Sequence, residues 1–100
     1  MDKYYVGTEM KLKLGITCTG FDMDTDPWTA TVKSKKGTVT CTKEEHSAKS
    51  GDDWFILVDT GVLGTGQYVL IIEIDVPDND FDDGYRHEVY KRNLVNVEKV

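Results

Sequence analysis

The sequence is poor in the residues that mark disulfide-stapled and metal-binding domains. It has two cysteines and two histidines among 100 residues, far fewer cysteines than a disulfide-dense secreted domain carries. Cys18 and Cys41 lack the C-x-x-C spacing of zinc or redox sites, and His46 and His87 lie far from both in sequence. We expect two free thiols and no zinc site, although a disulfide between two strands of a sandwich is geometrically possible.

Long apolar runs are also missing. The longest covers residues 68–72, whereas a helix needs about 20 apolar residues to span a bilayer. Residues 1–4 show no apolar region of the kind that a signal peptide contains. We therefore expect neither a membrane span nor a secretory signal, and synthesis in a cytosol-like compartment.

Positive charge is scarce relative to negative charge. The chain has 12 lysine and arginine residues against 18 aspartate and glutamate residues, which gives a formal net charge of −6. Such a balance disfavours nonspecific binding to nucleic acid and to anionic membranes, because both are polyanions. The one lysine cluster, at residues 33–36, precedes a glycine and is typical of a charged hairpin tip.

What the sequence does contain is apolar and polar residues in alternation, which indicates strands with one buried face. A lysine–glycine turn between two such segments predicts a β-hairpin. Residues 43–53 are polar and predict a loop, with room for one turn of helix at 43–46. The segments that predict strands are 9–18, 28–33, 38–42, 54–58, 67–76, 85–90 and 94–97, of which the last two form either one strand or a pair.

About seven short strands with frequent turns, and no amphipathic helix, predict a single all-β domain over residues 1–100. We expect an immunoglobulin-like β-sandwich, with a small β-barrel as the alternative. Leu70 and Ile72 differ in parity from Val69 and Ile71, which suggests that the central strand is covered on both faces. Strand parity predicts a core of Leu12, Leu14, Ile16, Trp28, Val32, Ile56, Val69, Ile71 and Val89.

Two segments resemble a known family. Val58-Asp59-Thr60 precedes Leu63-Gly64-Thr65-Gly66-Gln67-Tyr68, and residues 77–84 form a Pro-Asp-x-Asp-Phe-x-Asp-Gly loop between two strands. Over residues 8–98 the chain resembles the immunoglobulin-like N-terminal domain of phage upper baseplate proteins and related small proteins of Bacteroidetes prophages. The resemblance implies a virion component without catalytic residues, assembled in the bacterial cytoplasm for a baseplate, a tail or a fibre attachment.

The acidic loops hold the strongest candidate metal ligands. Alternating carboxylates can converge on Ca²⁺, but neither run has the glycine and glutamate positions of an EF-hand loop. We expect these residues to solvate the loops, with no metal or cofactor bound. The calcium candidates are Asp22, Asp24, Asp26, Asp78, Asp80 and Asp82.

Catalytic patterns are equally weak. Ser47 and Ser50 lie near His46 in the sequence, but no nucleophile-elbow motif surrounds either serine. Residues so close in sequence also rarely face one another in the way that a catalytic serine and histidine must. The glycines at positions 61, 64 and 66 lack the Lys-Ser/Thr ending of a phosphate loop and precede a predicted strand, so they predict a turn. We expect a protein that is not an enzyme.

The two terminal segments are the candidate interfaces. Both are apolar, prone to form strands, and little protected by charge or proline. We predict that they pair by strand addition with another copy or another virion protein; the alternative is that they pair with each other within one chain. The interface candidates are Tyr4, Tyr5, Val6, Leu94, Val95 and Val97.

These observations predict a non-catalytic phage structural or adaptor protein. It would act through protein–protein contacts, as a homo-oligomer or as part of a larger assembly. The alternative is a free-standing β-sandwich that binds carbohydrate or Ca²⁺.

Overall fold

The computed structural model describes residues 4–99, and more than half of these residues lie in β-strands. Most strands coincide with alternating or continuously apolar segments of the sequence, whereas one short strand is polar. The elements are β1 (Tyr4–Tyr5), β2 (Glu9–Leu14), β3 (Trp28–Lys33), β4 (Thr38–Cys41), β5 (Ser47–Ser50), β6 (Asp53–Asp59), α1 (Thr60–Leu63), β7 (Gly66–Pro77) and β8 (Tyr85–Glu98).

The strands form two sheets. One has five strands in the order β1-β8-β7-β3-β4, and the other has three in the order β2-β6-β5. With β2 to β8 taken as strands B, C, C′, D, E, F and G, this is the immunoglobulin order, G-F-C-C′ opposite B-E-D. β1 pairs with β8 in parallel, placing Tyr4 beside Val97. The predicted immunoglobulin-like sandwich is confirmed, and residues 4–99 form eight strands in place of about seven.

The core lies between the two sheets. Trp28 of β3 meets Trp54 of β6 edge to face, with ring centroids 5.5 Å apart, and so links one sheet to the other. Of the predicted core, Leu14, Trp28, Val32 and Ile56 are buried, whereas Leu12 and Ile16 are half-buried. The buried apolar residues are Met10, Leu14, Trp28, Ala30, Val32, Cys41, Ile56, Val58, Leu63, Tyr68, Leu70, Ile74, Val76 and Val97.

The prediction that Val69 and Ile71 of β7 face the core is wrong. The even-numbered residues from Tyr68 to Val76 point into the core, and Val69 and Ile71 lie half-buried on the outer face. The apolar run at 68–72 occupies both faces, so a period of two could not choose between them. Val89 is also wrong: it pairs with Glu73 on the outer face and is 56% exposed.

Two element predictions also need correction. The predicted loop at 43–53 contains β5, which pairs with β6 and places Ser47 opposite Ile56. The predicted strand 9–18 ends at Leu14. The last two predicted segments form one strand, β8, which is one of the two alternatives that the sequence left open. The predicted β3–β4 hairpin is confirmed by its register, Lys33 opposite Thr38. Within residues 4–99, no helix is long and apolar enough to cross a membrane.

Candidate functional site

The two sheets do not meet along one side of the sandwich. Among residues 4–99, β2 pairs with β6 and with no other strand, while β8 pairs with β7 and β1. Between β2 and β8 a groove of about 450 Å³ opens to the outside. We call it the β2–β8 groove, and its lining includes Leu12, Ile16, Ile72, Tyr90, Arg92 and Leu94.

The groove is apolar because a core face remains uncovered there. The three-stranded sheet is too narrow to cover the whole inner face of the five-stranded sheet. Leu12, Ile72 and Leu94 therefore pack against the core while staying half-exposed. Exposed apolar surface of this kind, bordered by polar residues, is typical of a binding site.

The charged residues at the groove are all cationic. Lys13, Lys91 and Arg92 line it, and among residues 4–99 no carboxylate does, although the whole chain carries a net charge of −6. The Lys13 ammonium is 3.3 Å from an Asp53 carboxylate oxygen. The Arg92 guanidinium makes no hydrogen bond or ion pair with any residue that the structure describes. Arg92 is thus a positive charge without a partner among residues 4–99 at the groove, whereas Lys13 and Lys91 border it from the outer faces of β2 and β8.

A closed polar network follows the groove along the inner face of β8. Glu88 accepts hydrogen bonds from the Tyr90 hydroxyl and, at 2.6 Å, from Arg86 Nε. Arg86 also donates to Asp78 at 2.5 Å. The Tyr90 hydrogen bond and the Arg86 guanidinium lower the pKa of Glu88, and the Glu88 carboxylate raises the pKa of Tyr90 to about 12. This network positions Tyr90 beside the groove and holds Glu88 ionised.

The first acidic loop uses its carboxylates locally. Asp26 Oδ2 accepts a hydrogen bond from the Asp22 backbone at 2.9 Å, and Asp22 Oδ1 accepts one from Asp24 at 2.8 Å. Asp24 Oδ1 accepts from Trp54 Nε1 at 2.9 Å and pairs with Lys49 Nζ at 2.8 Å. The hydrogen bond from Lys49 lowers the pKa of Asp24, ahead of the one from Trp54. These carboxylates cap a turn and tie the loop to β5 and β6.

The second acidic loop is at the same end of the sandwich, because the Asp75 backbone donates to Pro27 O at 3.4 Å. Asp78 accepts from the Asp80 backbone at 3.0 Å as well as from Arg86, and Asp82 is exposed. Within residues 4–99, no three His, Cys, Asp or Glu side chains are placed to hold a metal ion together. The absence of bound calcium stays a prediction.

The terminal segments lie side by side in one chain. Val6 N donates to Glu98 O at 3.0 Å, and Tyr5 is opposite Glu98 in the β1–β8 pairing. Val97 is 1% exposed, within the core, while Tyr5 is 43% exposed. The structure therefore matches the alternative in which the two terminal segments pair with each other within one chain. Assembly through the outer edge of β1 stays a prediction.

The serine and glycine candidates are structural. Ser47 Oγ donates to Lys43 O at 3.1 Å, and His46 is exposed, with a φ of 56°. The glycine segment forms the corner between β6 and β7, where Asp59 Oδ1 accepts from Gly61 N at 2.8 Å and caps α1. Cys18 and Cys41 are both free.

Sequence reasoning missed the tyrosine corner. Tyr68 is fully buried, and its hydroxyl donates to Gly64 O at 2.5 Å, with Thr60 O 3.4 Å away. This is the corner that immunoglobulin-like domains form where strand E turns into strand F. A tyrosine soon after a glycine-rich corner and before the most apolar strand was the available signal.

Comparisons with known proteins yield no match to a family model, a curated protein or a solved structure. The β2–β8 groove is the feature that offers an accessible apolar surface, an open strand edge and unneutralised charge in one place.

Proposed function

We propose that this chain is a non-catalytic structural adaptor of a phage virion, in a tail, a baseplate or a fibre attachment, and that it acts through protein–protein contacts. The observation that carries the protein-binding part is the β2–β8 groove, where half-buried apolar side chains border an edge of β2 that pairs with no other strand of the described chain. The virion setting comes from the resemblance of residues 8–98 to upper baseplate domains.

The form of the groove favours a polypeptide partner. An open strand edge offers a row of backbone N–H and C=O groups, which recognise another backbone by strand addition. Apolar side chains on one side of that edge supply pockets for alternate side chains of the partner. The tyrosine corner joins the two sheets at one corner and the tryptophan pair packs one sheet against the other, so the groove lies on a packed two-sheet scaffold.

The carbohydrate alternative has weaker support. Trp54 is edge-on to Trp28 and donates its indole N–H to Asp24, while Lys49 Nζ lies 5.8 Å from its ring centroid. Lys11 similarly lies over the ring of Phe55, at 4.7 Å. These aromatic rings are already engaged within the chain.

Particle composition tests the proposal. Phage particles are induced from a strain that carries the gene, purified on a density gradient and analysed by mass spectrometry, with a strain deleted for the gene as the control. We expect the chain to co-sediment with particles at a constant ratio to the other tail proteins. A chain that remains at the top of the gradient, while the deleted strain releases complete infectious particles, would contradict the virion role.

A further inference from the structure

The three-stranded sheet has space for one more strand, beside β2. β1 precedes β2 in the chain yet pairs with β8 of the opposite sheet, so within residues 4–99 no strand pairs with the outer edge of β2. The β2–β8 groove occupies the place where a fourth strand would run. An extended chain bound there would complete the sheet and cover the half-buried apolar residues.

The backbone of β2 has N–H and C=O groups that could bond to such an added strand. Thr60 N donates to Thr8 O at 3.0 Å, and hydrogen bonding alternates along an antiparallel ladder, so the even-numbered residues of β2 bond to β6. The odd-numbered residues, Lys11 and Lys13 among them, direct their N–H and C=O groups away from β6. These are the groups that an added strand would use.

Side-chain alternation specifies the chemistry of the added strand. On β2, Leu12 and Leu14 face the core, while Lys11 and Lys13 face outward and are exposed. Neighbouring strands share this alternation, so every second side chain of an added strand would enter the groove near Ile72. The side chains between them would lie next to the two lysines, where opposite charge stabilises the pairing.

The residues that line the groove also favour negatively charged side chains in the added strand. Arg92 borders the groove without an ion-pair partner among residues 4–99, and no carboxylate of that part of the chain lines it. We propose that the β2–β8 groove binds an extended segment of another protein, in which apolar residues alternate with aspartate or glutamate, and that this segment adds to β2 as a fourth strand. The proposal rests on the proposed function, since it names the partner chemistry of that protein-binding module.

Peptide binding tests the charge preference. The probe is a fluorescently labelled peptide of about ten residues, a normal strand length, in which valine alternates with glutamate; the control replaces every glutamate with lysine. In fluorescence anisotropy we expect saturable binding of the glutamate peptide and affinity at least about fivefold weaker for the lysine peptide. Equal affinities, or no saturable binding of the glutamate peptide, would overturn the proposal.

Backbone methylation of the same peptide tests strand addition without altering the protein. N-methyl groups are placed on the valines in one version and on the glutamates in the other, which blocks one edge of the peptide strand at a time. We expect one version to lose binding and the other to retain it, because only one edge faces β2. If both versions bind as the parent does, the segment does not add as a strand.

Two pairs of protein variants test the groove itself. Arg92→Glu is expected to weaken the glutamate peptide at least about fivefold, whereas Lys35→Glu, at the β3–β4 turn, leaves it unchanged. Lys13→Pro removes an N–H that points away from β6 and is expected to abolish binding, while Lys13→Ala removes only the charge. Thermal unfolding verifies that each variant is folded, and equal effects within either pair would contradict the proposal.

Two further outcomes identify the source of any failure. Analytical ultracentrifugation could instead show a dimer of the chain that is lost in Lys13→Pro and is not dissociated by the glutamate peptide. That result would contradict an acidic partner and indicate that a second copy of the chain occupies the groove. In the particle experiment, a folded Lys13→Pro variant that still co-sediments would overturn strand addition and leave the virion role intact. Wild-type chain that does not co-sediment contradicts the virion role, while the peptide results stand independently.

Discussion

At the scale of single residues, the Tyr68 hydroxyl is a small group with a large structural role. It is buried and donates to Gly64 O at 2.5 Å, across the corner that leads into β7. We predict that Tyr68→Phe lowers the free energy of unfolding by about 1 kcal/mol, because the partly buried Gly64 carbonyl loses its hydrogen-bond donor. Urea denaturation measures the change.

The matched control for that variant is Tyr85→Phe. Tyr85 is 44% exposed, so water can replace any contact of its hydroxyl. Its free energy of unfolding should change by no more than about 0.5 kcal/mol. Equal effects of the two variants would mean that the corner hydrogen bond does not stabilise the fold.

His87 is the residue whose charge makes stability depend on pH near neutrality. Its Nδ1 is 2.9 Å from Asp75 Oδ1, and its Nε2 is 3.5 Å from Glu73 Oε1. These carboxylates, Asp75 first, raise its pKa above the ordinary value of 6.5. Because the folded pKa is the higher one, the stabilisation is complete below pH 6.5 and is lost as pH rises through the folded pKa.

We therefore predict that His87→Gln lowers the urea midpoint at about pH 5 and has little effect at about pH 9. The side chain is exposed, so the difference should also shrink when salt is added. An NMR titration that gives His87 a pKa at or below 6.5 would contradict this prediction.

At the scale of elements, β7 shows both the strength and the limit of strand periodicity. β2 and β3 each have one apolar parity, so the sequence predicts which of their side chains face the core. In β7, residues 68–72 are apolar at every position. There the face is decided by Tyr68 at the corner and by the register shift between Gln67 and Val69, which are tertiary features.

The face of β7 leads to a paired prediction. Ile74 is 1% exposed and Ile71 is half-buried on the outer face. Replacing Ile74 by alanine should cost about 2–5 kcal/mol, since the cavity forms in a packed core. Replacing Ile71 by alanine should cost about 1 kcal/mol. Chemical denaturation measures both variants, and a larger loss for Ile71 would reverse the assigned faces.

β5 illustrates a strand that sequence alone could not reveal. Ser47–Ser50 has no apolar alternation, and two of its four residues are exposed. It is a strand because β6 offers backbone partners along its whole length, Ser50 opposite Asp53 at one end. Edge strands of this kind depend on their neighbour and carry little pattern of their own.

At the scale of the whole molecule, the groove was also beyond prediction from sequence. Leu12, Ile16 and Leu94 could be identified as apolar strand residues, and Leu94 was predicted at an interface. These three residues line one groove because the edges of β2 and β8 do not pair with each other. That arrangement depends on the pairing of β1 with β8, which the sequence does not reveal. The alternation within strands is local, whereas the choice of neighbours is a property of the complete fold.

The parallel pairing of β1 and β8 also determines how the domain would respond to mechanical force. Tension entering ahead of β1 and leaving after β8 pulls two parallel strands in opposite directions along their length. The hydrogen bonds between them, Val6 N to Glu98 O among them, are then loaded together in shear. An antiparallel pair would instead be peeled open one bond at a time. A module held under tension between two neighbours would thus resist extension at the place where the chain enters and leaves it.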